Sequence, residues 1–169
     1  MTLRIRPARR EDSGAIAAIN RAGLPGVTRF APGEIEACVE KATLFWVAEQ
    51  AGEVAGYLLV FGEGFPELGD EYRWFSARHA RFLYVDSIAI AEPQRRAGVG
   101  RAFYAELARE ARRRALPYIV CEVNLDPPNP RSLAFHAAQG FAEVGQLRVS
   151  DGRFVSLLEL EIGSRALQE

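Results

Sequence analysis

The chain is nearly without lysine, cysteine, histidine and methionine. Of its 169 residues one is lysine (Lys41), two are cysteine (Cys38 and Cys121), two are histidine and one is methionine. Two distant cysteines with no short Cys or His spacing argue against a disulfide framework and a zinc site, so no metal is expected and a reducing compartment suits the chain. No apolar run approaches the roughly 20 residues of a membrane-spanning helix. The opening Met1-Thr2-Leu3-Arg4-Ile5-Arg6 alternates charge with apolar residues, as a strand does and a signal peptide does not. A cytoplasmic protein without a membrane partner is the expectation. Charge of one sign is also missing. The 21 basic and 22 acidic residues leave a net charge of −1, which gives no general attraction to nucleic acid. The use of arginine in place of lysine reads as compositional bias and carries no functional weight.

What is present is an ordinary globular composition, 49% hydrophobic and 25% charged, which over this length predicts one domain spanning 1–169. Leu3 to Pro7 reads as a strand, followed by a helix over about Gly14 to Arg21 with Ile16 and Ile19 as its apolar stripe. A second amphipathic helix runs from Pro32 to Lys41, proline suiting its first turn. The β-branched and aromatic runs Thr43 to Glu49 and Val54 to Phe61 flank Gln50-Ala51-Gly52-Glu53 and predict a hairpin. From Gly62 to Ala80, glycine, proline, acids and exposed-looking aromatics predict a long loop.

Phe82 to Ile90 is the most apolar strand. Gly98 to Arg114 then turns helical, with Val99, Phe103 and Leu107 spaced four apart. Tyr118 to Asn124 follows as a strand. Asn129-Pro130 opens a helix that Gly140 ends, and Phe141 to Val149 and Arg153 to Glu161 form a hairpin around Ser150-Asp151-Gly152.

The chemistry-bearing motif is Arg95-Arg96-Ala97-Gly98-Val99-Gly100-Arg101, two glycines at a junction from strand to helix. The first amides of a helix lack internal partners and carry the positive end of its dipole, so they suit an anion that missing side chains allow to approach. A dinucleotide fingerprint needs a small residue where Phe103 stands, and a mononucleotide loop needs a Gly-Lys-Ser/Thr ending, which is absent. A tight turn that needs glycine only for steric reasons is the bland alternative.

These residues resemble the GNAT superfamily of N-acyltransferases, whose Arg/Gln-x-x-Gly-x-Gly/Ala turn is matched by Arg95, Gly98 and Gly100. The resemblance covers nearly the whole chain: the Ile5-Arg6-Pro7-Ala8 strand, two helices, a hairpin, the glycine turn and the Asn129 to Phe141 segment fall in family order. Pro93 stands two residues before Arg95 rather than the more common three, and Asp126-Pro127-Pro128 lengthens the following loop by about two residues. The resemblance implies an α/β (α+β) fold, a mixed and mostly antiparallel sheet of about seven strands with about four helices in the order β-α-α-β-β-β-α-β-α-β-β. It also implies acetyl-CoA as co-substrate, its pyrophosphate on the turn from Arg95 to Arg101, and the strand amides near Ile88 and Ile90 pairing with pantetheine. Acetyl transfer to the amine of a small molecule or peptide would then proceed by direct attack in a ternary complex, and a homodimer is compatible with the pattern.

Acetylation requires a neutral amine and a stabilised leaving thiolate, hence a base and an acid. The family's usual tyrosine, four residues before its Gly-Phe pair, is His136 here, which could donate a proton or simply pack. Ser132, His136 and Gln139 fall on one polar face of the predicted helix, as an active-site wall would. Asp86 and Glu122 each interrupt an apolar strand, so either is a candidate base, with pairing to arginine the rival explanation; Glu122, acting through water, is slightly favoured. Asn129 can cap its helix, contact pantetheine, or both. Cys121 reads as a buried strand residue, so a covalent acyl-cysteine is disfavoured. The acids and aromatics of Gly62 to Ala80 suit a cationic or amphipathic acceptor, while Arg73, Arg78 and His79 suit a carboxylate. A non-catalytic acyl-CoA sensor with the same fold is the alternative function.

Overall fold

Alternation, helical spacing and turn chemistry reappear in a computed structural model that describes residues 2–163. In chain order the elements are β1 (Leu3–Pro7), α1 (Ser13–Ala22), α2 (Glu34–Lys41), β2 (Leu44–Gln50), β3 (Glu53–Phe61), α3 (Asp70–Arg78), β4 (Leu83–Ile90), α4 (Val99–Arg113), β5 (Tyr118–Asp126), α5 (Pro130–Ala138), β6 (Ala142–Arg148) and β7 (Phe154–Glu161). The seven strands follow the order β1-β2-β3-β4-β5-β7-β6. The β4–β5 pair is parallel, and β1–β2, β2–β3, β5–β7 and β6–β7 are antiparallel. This is the mixed, mostly antiparallel sheet that the family resemblance implies, with five helices among the described residues.

The additional helix is α3, which corrects the reading of Gly62 to Ala80 as loop. Its apolar signal is short, only Tyr72 and Phe75 three residues apart, and glycine and proline immediately before it conceal its start. Gly69 precedes the helix at φ 126°, Asp70 and Glu71 lie in its first turn, and Arg78 lies in its last, the charge order a helix dipole favours. Two of the aromatics expected in solvent, Tyr72 and Phe75, are buried, and Trp74 is half-buried: Tyr72 packs on Phe82 and Tyr84 at ring separations of 5.5 and 5.4 Å, and its hydroxyl donates to the Gly62 carbonyl at 2.5 Å. A second, smaller correction concerns Pro32, which lies before α2 because Gly33, at φ 79°, stands at the helix boundary.

The chain divides into two compact units. One comprises the residues up to Phe61 together with Val85–Ala105, and the other comprises Gly62–Tyr84 with the chain from Glu106. In the first unit Ile16, Val47, Tyr57 and Phe103 are fully buried, and Phe30 and Phe45 pack against the Tyr57 ring. The β2–β3 turn has both central residues, Ala51 and Gly52, at positive φ (53° and 78°), the twist that a two-residue hairpin requires. In the second unit Phe75, Leu83, Leu107, Ile119 and Leu157 fill the core.

Gly56 marks where β3 can tolerate no side chain. A Cβ there would stand 2.9 Å from the Ala89 carbonyl oxygen and from Ile90 Cδ1, and 3.3 Å from Phe103 Cε2. The carbonyl is held by the backbone and cannot yield as a flexible side chain would. Gly56→Ala should therefore destabilise the protein by about 1–3 kcal/mol, read as a lower urea midpoint with an unchanged slope. An unchanged midpoint would show that the strands can part at no cost.

Candidate active site

In the first unit, β4 ends in the glycine-rich turn. Burial alternates along the strand, Ser87 and Ala89 being buried and Asp86, Ile88 and Ile90 half-buried. The Arg95 guanidinium donates through Nε to the Ile90 carbonyl at 3.2 Å and so ties the turn to the strand's end. Arg96 takes φ 71° and Gly98 φ 84°. The first helical hydrogen bond of α4 runs from the Ala102 N–H to the Gly98 carbonyl at 3.0 Å, so the amides of Val99, Gly100 and Arg101 precede it. A Cβ on Gly98 would meet nothing within 4 Å, which leaves the approach to these amides open. Positive φ, open space and an undonated first turn together fit a pyrophosphate.

In the same unit, buried Asn20 of α1 makes three hydrogen bonds. Its Oδ1 accepts from the Phe30 N–H, and its Nδ2 donates to the Thr28 carbonyl and the Tyr57 hydroxyl, each at 3.0 Å. Ser87 Oγ lies 2.7 Å from that hydroxyl. Burial pushes the Tyr57 phenol up to about 12, and burial with the Glu34 and Asp86 charges pushes the Cys38 thiol up to about 11. Asp86 is therefore within electrostatic reach of both α2 and β3. Neither Asn20 nor Tyr57 was expected at a site. An asparagine among the alanines and isoleucines of an amphipathic helix was the signal available for Asn20.

In the second unit, the Tyr84 hydroxyl donates to both oxygens of Glu122, at 2.9 and 2.8 Å. Their strands pair in parallel at Leu83–Ile119 and Tyr84–Val120. Beyond Glu122 on the same face of β5, the Asn124 side-chain oxygen accepts from Arg153 at 3.1 Å. Arg153 also bridges the buried carboxylate of Glu71 at 2.8 Å and the Asp151 carboxylate at 2.8 Å. His79 lies 2.6 Å from Glu159 and stacks on Tyr118, ring centroids 3.9 Å apart.

The Asn129 side chain caps α5 by accepting from the Ser132 N–H at 3.4 Å, as its Asn-Pro context implies. The expected polar face of that helix needs correction at His136. The residue is 3% exposed, and its ring lies between Phe135 and Phe141 with centroid separations of 5.2 and 5.3 Å. Nδ1 donates to the Ser132 carbonyl at 2.8 Å, which fixes the tautomer. Burial, only partly offset by that bond, holds its pKa below the ordinary histidine value, so the ring is neutral near pH 7.

Among the described residues no group of three or more His, Cys, Asp or Glu side chains is arranged to hold a metal ion, and no helix is long and apolar enough to cross a membrane.

The Acetyltransferase (GNAT) family model matches residues 20–141, well over half of the sequence. The chain belongs to this family of acetyltransferases. No curated protein matches it in sequence. Among solved structures it is similar to Ard1 from Thermoplasma volcanium, with a TM-score of 0.78 at 18% identity, covering 97% of this chain and 100% of that one. It is similar to YncA, a putative acetyltransferase from Salmonella typhimurium solved with its cofactor acetyl-CoA, with a TM-score of 0.70 at 21% identity, covering 98% and 96% of the two chains. At this distance both show the fold alone. A ribosomal-protein-alanine N-acetyltransferase from Brucella melitensis is 26% identical, with a TM-score of 0.72, covering 94% of this chain and 99% of that one.

Proposed function

We propose that this chain transfers the acetyl group of acetyl-CoA to a primary amine by direct attack in a ternary complex. The observation that carries the donor half is the start of α4, where an open Gly98 at φ 84° precedes three amides lacking helical partners. The acetyl-CoA held by YncA, a protein of the same fold, supports it. In this reading the turn from Arg95 to Arg101, Ala97 included, receives the pyrophosphate, and the backbone of Ile88 and Ile90 pairs with pantetheine. Asn129 and Ser132, at the start of α5, are assigned to contacts with the cofactor.

An alkyl amine with a pKa of about 10.4 arrives protonated and must lose a proton to react. We assign that proton, through water, to Glu122, whose two oxygens Tyr84 fixes in place. Asp86 is the rival base. As nitrogen attacks the thioester carbonyl, the C–N bond forms, the C–S bond breaks, and coenzyme A departs as a thiolate that a proton neutralises. His136 is a weaker acid than its place in the motif implies, because a neutral ring whose Nδ1 proton is held by Ser132 has none to give from Nε2. With neither Cys38 nor Cys121 in a disulfide, we place the reaction in the cytoplasm.

Ligand-dependent melting tests the donor. CoA and acetyl-CoA at a hundredfold excess over their dissociation constants should stabilise the protein by about 2.7 kcal/mol, with no shift from ATP or NAD. Equal shifts from all four, or none from CoA, would overturn the reading.

A further inference from the structure

We propose that the cavity walled by α1, residues 29–33 and α2 is the acceptor subsite, and that it selects a small amphipathic amine bearing a single carboxylate, such as an apolar amino acid. This rests on the acetyl-transfer reading above and adds the chemical class of the acceptor. The cavity measures about 400 Å³, within the range of small-molecule sites. That volume suits a free amino acid.

Its lining has two characters. Phe30, Ile35 and Ala17 offer apolar surface, while Arg21, Arg29 and Glu36 are charged and together leave one net positive charge. Both arginines are exposed, and neither takes part in an ion pair among the described residues. A guanidinium fork matches a carboxylate with two parallel hydrogen bonds. One net positive charge suits a ligand with one carboxylate. The apolar wall requires the rest of the ligand to bury hydrocarbon.

The wall that carries these groups is fixed before any ligand arrives. Asn20, 1% exposed, binds the Thr28 carbonyl and the Phe30 N–H, and so pins the backbone on either side of Arg29. A ligand therefore meets a loop already ordered, which lowers the entropic cost of binding. The same Asn20 reaches the Tyr57 hydroxyl, which meets Ser87 on β4 between Asp86 and Ile88. Two hydrogen bonds thus join the cavity wall to the strand whose amides are assigned to pantetheine.

The test compares phenylalanine with phenylalanine amide and phenethylamine as acceptors, by thiol release from acetyl-CoA, in wild type and in Arg21→Ala and Arg29→Ala. Wild type should prefer phenylalanine over phenethylamine by at least about tenfold in kcat/KM. Each substitution should cut that preference by about tenfold, the effect of one charge-assisted hydrogen bond. Calorimetric titration of N-acetylphenylalanine should show the same weakening. Equal use of the acid, the amide and the decarboxylated amine, or a preference unmoved by both substitutions, would overturn the proposal while leaving acetyl transfer standing. If no amine is turned over, calorimetry decides: binding that Arg29→Ala weakens supports the subsite, and no binding rejects it. Loss of CoA stabilisation in the melting experiment would instead reject the donor reading.

Discussion

Glu122→Gln should lower kcat for acetyl transfer by about 10²–10⁴-fold, the usual contribution of a positioned general base, with CoA-dependent stabilisation unchanged. Glutamine keeps the side chain's shape and one oxygen to accept from Tyr84, so the geometry around 2.8–2.9 Å survives while the basic carboxylate is lost. The measurement is kcat for wild type and variant with the same amine at saturating acetyl-CoA. Asp86→Asn distinguishes the two carboxylates. If it lowers kcat and Glu122→Gln does not, the base is Asp86. If neither lowers kcat, solvent takes the proton and both leave the mechanism.

Asp12→Ala should cost about 3 kcal/mol of folding stability, in the lower part of the range for breaking a buried ion pair. Arg6 and Asp12 are 9% and 8% exposed and form two parallel hydrogen bonds at 2.8 and 2.9 Å. The lower end applies because Arg6 also reaches Glu49 at 2.8 Å, so its charge keeps one partner. The Arg6 hydrogen bond holds the Asp12 carboxyl below its ordinary value of 3.8. A carboxyl with a depressed folded pKa contributes stability that is complete above its unfolded pKa and lost as pH falls through the folded one. The gap between wild type and variant should therefore be full at pH 7 and should shrink below about pH 4. Urea titrations at several pH values measure it. A gap that persists undiminished at pH 2 would mean that packing, and not charge, sets the cost.

These residues also show which parts of the molecule the sequence exposes to reading. Signals carried by neighbours in the chain were legible: Ala51-Gly52 dictates its own turn, Asn129-Pro130 and Gly140 bracket α5, and Gly98 marks its own backbone conformation. Contacts between distant residues were not. Tyr84 and Glu122 are 38 positions apart, and Arg153 and Glu71 are 82 apart, so neither pair has a local pattern. α3 falls between these cases, because two buried aromatics in nine residues resemble a loop as much as a helix face. His136 is a third case. Its spacing from Ser132 is local and legible, but whether its ring faces a cleft or packs depends on Phe135 and Phe141, which enclose it.

Arg153 gives the arginine bias a different weight from the one composition suggests. With a single planar group it reaches Asp151 in the β6–β7 turn, Asn124 on β5 and Glu71 on α3. A lysine ammonium is one point on a flexible stem and cannot meet three acceptors spread around a plane. Arg6, with Asp12 and Glu49, poses the same demand. The sequence holds 20 arginines against one lysine. At Arg6 and Arg153 the substitution usually counted as the mildest in the alphabet would cut junctions between separate elements.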